Sequence, residues 1–170
     1  SVYLAGSGEL DNGLNVSISF ELDNAKSADS TGVGPYDNHY VEISSDALGT
    51  LRLSGHGGSS AQSKIDTTAA GDLWNNTLGL TGTINSAAAG NNSLYYTLPT
   101  LMDDLTLTAS FAPGRAAVAD TNTHTSVAAV YEGVEGLTLK YGTGDSGTKL
   151  LERTTTTMMA SYAISSFTLS

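Results

Sequence analysis

Few residues in this 170-residue chain have the types and spacing that chemistry requires. Gly144-Asp145-Ser146-Gly147 sets a serine between glycines and behind an acid, as around a nucleophile. A nucleophilic serine, however, needs a histidine base held by a carboxylate. The three histidines, His39, His56 and His124, stand in no such motif and lack the spacing of a zinc site. The tetrapeptide therefore reads as a glycine-rich loop tip, and the histidines as solvated loop or lumen residues. Asp103-Asp104 pairs two carboxylates, but in a short connection after Pro99, where Asp serves turn hydrogen bonding. Asp23, Asn24 and Asp29 cluster oxygens of the kind calcium takes, without EF-hand spacing, so loop calcium is the one cofactor suggested. No catalytic set and no metal centre emerges, and the expectation is a protein that is not an enzyme.

Isolated charges on otherwise neutral strands carry more information. Glu21, Glu42, Arg52 and Lys140 each interrupt a face of small polar residues, and such a charge must meet water or a partner. The chain has 17 acidic against 7 basic residues, a net charge of −10, which argues against a nucleic acid held through a basic phosphate-contacting surface. It has no cysteine, which excludes disulfides, thiolate metal sites and cysteine nucleophiles. Serine and threonine make up about a quarter of the residues while charged residues are only 14%. No apolar run approaches the ~18 residues of a membrane-spanning helix.

The elements that position these residues are strands. Strict alternation recurs, best at Leu14, Val16, Ile18, Phe20 and Leu22 against Asn15, Ser17, Ser19 and Glu21. It returns at 105–111 and 137–141, with weaker copies at 2–10, 39–43, 50–55, 93–98, 125–131, 154–162 and 167–170. About ten strands result. Their connections alternate between short (11–13, 44–49, 99–104, 132–136, 163–166) and long (23–38, 56–92, 113–124, 143–153). An up-and-down antiparallel sheet with tight turns at one end and long loops at the other explains this regularity. The polar face is Ser, Thr and Asn rather than Lys and Glu, so the apolar face is expected to meet lipid and the polar face water. Lipid then requires the sheet to close, because open edges leave backbone groups unsatisfied. Tyr131 and Tyr162 before short turns, and Phe20, Phe111 and Tyr141 near long-loop ends, suggest two interfacial girdles.

These residues resemble the trimeric general porins of Gram-negative outer membranes. The resemblance lies in the segments 12–22, 48–56 and 92–99 and in the Leu-Thr-Leu openings at 105–107 and 137–139, and it extends over nearly the whole chain. It implies an all-β transmembrane up-and-down antiparallel β-barrel of sixteen strands, of which residues 1–170 form one partial domain, about the second to the eleventh. It implies that 56–92 is the constriction loop folded into the pore, with Asp66 and Asp72 facing Arg52 across the lumen. Glu21, Glu42, Tyr95 and Lys140 are further expected lumen residues, and Tyr95 stands where an arginine is frequent, which weakens the basic cluster. The implied function is passive diffusion of small hydrophilic solutes and ions through a mildly cation-preferring homotrimer, in contact with outer-membrane lipid and lipopolysaccharide.

Two other classes fit the composition. A Thr/Asn/Gly-rich β-solenoid surface or adhesin protein should show a fixed-period repeat, which the short/long alternation contradicts. A soluble ligand-binding barrel would carry its charges outside and its apolar face inside.

Overall fold

A computed structural model describes residues 1–22, 36–65, 91–114, 122–148, 151–164 and 167–169. Ten strands follow in order: β1 (Val2–Glu9), β2 (Asn15–Leu22), β3 (Tyr36–Ser45), β4 (Gly49–His56), β5 (Ser93–Thr97), β6 (Leu105–Ala112), β7 (His124–Val134), β8 (Leu137–Thr148), β9 (Leu151–Ile164) and β10 (Phe167–Leu169). They form one sheet in strict sequence order, each strand paired with the next. Every pairing is antiparallel. The only helical element among the described residues is a short 3-10 turn, Gln62–Ile65. The sheet is open, with β1 and β10 at its edges. This is the expected meander rather than stacked solenoid coils.

The registers keep the alternation in phase across the whole sheet. One lateral row runs Ser7, Ser17, Glu42, Arg52, Tyr95, Ser110, Ser126, Gly144 and Thr155, each directly opposite its neighbour. Positions one residue along each strand belong to the other face, because strand side chains alternate. That face carries Leu4, Ile18, Leu53, Leu94, Phe111, Val127, Leu139 and Met158, and all of these are exposed, Met158 at 74%. Large apolar side chains in water on this scale would be strongly unfavourable, at about 25 cal/mol per Å². In lipid they are at home.

Burial is concentrated on the polar face. Among the described residues only Ala61, Ile65, Ala112 and Ala128 are buried apolar residues, beside buried Glu21, Ser54, Ser60, Gln62, Ser93, Ser126 and Thr155. The turn Gln62–Ile65 accounts for much of this, since it contacts β7, β8 and β9. The interior of the curve is thus polar and partly filled by chain.

Short connections are closed by turn chemistry. Leu10 and Leu14 are tied by an N–H···O bond of 2.8 Å, and the Asn12 side chain accepts from the Leu14 N–H. Gly49 has φ +74, and a Cβ there would sit 2.3 Å from the Thr97 carbonyl oxygen. Asp104 has φ +61 and its carbonyl accepts from the Glu132 N–H at 2.9 Å, so the Asp103-Asp104 pair is built into a turn.

One connection differs from expectation. Residues 143–153 are not a long loop: β8 runs on to Thr148, β9 starts at Leu151, and Thr148 lies opposite Leu151. Gly144-Asp145-Ser146-Gly147 is accordingly strand, not loop tip. Turn-forming residue types were overridden by a ladder of consecutive partners from Leu137 to Thr148. The same extension leaves Tyr141 in the middle of β8 rather than near its long-loop end. The histidines are strand residues too. His39 stacks on Phe20 with ring centroids 6.1 Å apart, His56 ends β4, and His124 opens β7.

Candidate functional site

The wall charges meet on β3 to β5. Glu42 and Arg52 are direct cross-strand partners, as are Arg52 and Tyr95, and the odd–even alternation sends all three to the polar face. The Arg52 guanidinium donates to Glu42 Oε2 from Nε at 2.9 Å, with Nη2 2.8 Å from the same oxygen. Its central carbon lies 4.0 Å from the centroid of the Tyr40 ring, a cation–π distance. Arg52 is therefore held between Glu42 and Tyr40.

The chain turns inward beyond β4. Gly57 takes φ +72, where a Cβ would collide with the Asn38 side chain at 2.0 Å, and the following residues cross over the polar face. There they are held by hydroxyls: the Ala61 N–H donates to Ser110 Oγ at 3.0 Å and the Gln62 N–H to Ser126 Oγ at 3.3 Å. Ser110 and Ser126 are themselves linked at 2.6 Å. The Gln62 side-chain amide donates to the Thr157 hydroxyl. Ala61 and Gln62 are completely buried and Ile65 almost so. Ile65, Ala61 and Ala128 form the one described apolar cluster, with Tyr95 packed against it. Gly142 makes the seat: a Cβ there would lie 3.0 Å from Ile65 Cδ1 and 3.2 Å from Gln62 Cα.

Between this turn and the wall lies a cavity of about 200 Å³, lined by Glu42, Thr50, Arg52, Lys64, Tyr95 and Thr97 among others. Hydroxyls, one ion pair and an ammonium group offer hydrogen bonds and charge, and among the described residues that line it no nucleophile is set beside a base.

Of the expected lumen residues, the structure brings Glu42, Arg52 and Tyr95 together. Glu21 lies apart on β2, accepting from Tyr3 Oη at 2.6 Å and Asn38 Nδ2 at 3.0 Å. Lys140 lies farther round the wall on β8, opposite Val130 and Met159. Asp66 and Asp72, and likewise Asp23, Asn24 and Asp29, fall outside the described residues. Lys64 and the anchor Gln62 were not foreseen. A single 3-10 turn has too few residues for periodicity, and only the Ala61–Ile65 apolar spacing of four hinted at it.

A family model described as Gram-negative porin matches residues 1–170. No curated protein and no solved structure matches. The chain belongs to the Gram-negative porin family: it is an outer-membrane β-barrel protein of Gram-negative bacteria, with a channel's function.

Proposed function

We propose that this porin forms a water-filled, mildly cation-preferring channel for passive diffusion of small hydrophilic solutes and ions, narrowed by segment 56–92. The observation that carries this reading is the inward turn: residues 60–65 leave β4 and bury themselves on the polar face against β6 to β9. A connection that merely capped the barrel would have no reason to bury a glutamine there.

The net charge of −10 supports the cation preference, since a channel lined by excess acid raises the local concentration of cations. In this reading Arg52, Glu42 and Tyr95 form the wall of the narrow part and Asp66 and Asp72 face them, while Glu21 and Lys140 line the lumen elsewhere. We read the ten strands as part of a closed wall, because sheet edges such as those of β1 and β10 cannot face hydrocarbon, and the porin resemblance sets the number of strands at sixteen. A homotrimer, embedded in lipid and touching lipopolysaccharide, completes the proposal. It needs no cofactor and has no catalytic step.

Planar-bilayer recording of the full-length protein tests it. Stepwise ohmic openings, in groups of three, with a reversal potential on the cation side in a KCl gradient, are expected. Silence from folded, detergent-extracted protein would overturn the channel reading. Arg52→Glu is expected to raise the cation/anion permeability ratio, and an unchanged ratio would remove Arg52 from the narrow part.

A further inference from the structure

Three charged side chains line the cavity beside the inward turn, and they are not equivalent. Arg52 and Glu42 are bonded to each other through one carboxylate oxygen, at 2.8 and 2.9 Å. Opposite charges a hydrogen bond apart present a passing ion with a dipole, whose influence falls with distance faster than that of a lone charge. The Tyr40 ring at 4.0 Å further restrains the guanidinium. Arg52 is thus both compensated and restrained.

Lys64 is neither. The buried neighbours Gln62 and Ile65 fix the backbone of the turn, and Lys64 between them is exposed and lines the same cavity. Among the described residues no carboxylate pairs with it. A positive charge is thereby carried on a backbone held by buried neighbours, and it borders the cavity.

We propose that Lys64 is a selectivity-determining residue of the channel: its ammonium, which no described carboxylate pairs, eases small anions past the inward turn, while Glu42 cancels Arg52. This rests on the channel reading above. It also departs from the arrangement the resemblance implies, in which the loop brings acid to a basic wall. Here the described part of the loop brings the base, and the wall beneath it is a neutral pair. The hydroxyls of Thr50 and Thr97 on the same cavity wall supply donors that an anionic solute oxygen can use.

Reversal potentials of the full-length protein in dilute KCl gradients test this. Removing one unit charge within a Debye length of the ion path changes a permeability ratio by about two- to threefold in a water-like medium. Lys64→Gln is therefore expected to raise the potassium/chloride ratio about two- to threefold, and Lys64→Arg to restore it. Removing the pair together, Glu42→Gln with Arg52→Gln, keeps the net charge and is expected to shift the ratio less than Lys64→Gln does. A Lys64→Gln channel with the wild-type ratio, or a pair deletion that shifts it as far as Lys64→Gln, would overturn the assignment while leaving the channel intact. Wild-type protein that gives no conductance steps would overturn the channel reading and this proposal with it.

Discussion

The polar face has two halves that solve different problems. On β6 to β9 it is built from small side chains, Ser110, Ser126, Ala128, Gly142 and Thr157, and the inward turn lies directly on it. On β2 to β4 it carries Tyr40, Glu42 and Arg52, larger or charged groups that bond to one another along the wall. The difference teaches that a wall can be prepared either to receive chain or to hold charged groups against one another. The receiving half gives up bulk and charge so that backbone N–H groups of the turn find hydroxyl acceptors. The charged half keeps its charges but satisfies them internally.

Filling the seat should break this contrast most severely. Gly142→Leu puts a side chain where even a Cβ stands 3.0 Å from Ile65, and overpacking costs about 1–3 kcal/mol. Amide exchange at Ala61 and Gln62 is expected to speed up about 10- to 100-fold, with the amides of β8 still protected. Unchanged exchange would mean that the turn does not depend on the seat. Gln62→Ala comes next: it removes a fully buried amide and its bond to the half-buried Thr157 hydroxyl, at a cost of about 1–2 kcal/mol, and should accelerate the same two amides by about tenfold.

Substitutions on the other half sharpen the contrast by doing less. Arg52→Gln breaks a pair whose side chains are 42% and 26% exposed, and such part-solvated pairs contribute about 0–1 kcal/mol. Chemical unfolding in lipid vesicles should show a loss within that range, with Ala61 exchange unaltered; accelerated exchange there would show that the two halves are coupled. Ser17→Ala, on the wall away from the turn, is expected to stay within about 0.5 kcal/mol of wild type in the same assay.

Strand number, strand order and the two faces were legible because each rests on a period of two, which the sequence displays directly at Leu14 to Leu22 and at Leu105 to Phe111. The end of β8 was not. Gly144, Asp145, Ser146 and Gly147 are turn formers by local preference, and only a ready partner in β9 makes them strand. Among site residues, Arg52 and Glu42 stood out as charges on neutral strands, and the registers place them face to face. Lys64 and Gln62 did not, since what gives them meaning is contact with hydroxyls far along the chain. The serines that receive the turn were equally silent, being two among many.

The long β8–β9 hairpin has a bearing on how the molecule assembles. Its strands are paired from Leu137↔Tyr162 to Thr148↔Leu151, with only residues 149–150 between them. Closing so short a loop loses little chain entropy, and local pairings of this kind form early. The inward turn is the opposite case, as its anchors join residues 49, 64 and 95 positions apart. The expected order is hairpin first, neighbouring strands next and the turn last, and pulse-labelled exchange that protected Ala61 before β8 would contradict it. A nascent wall of this kind stands complete before anything lies across it, and its polar face is covered only once Gln62 has found Thr157.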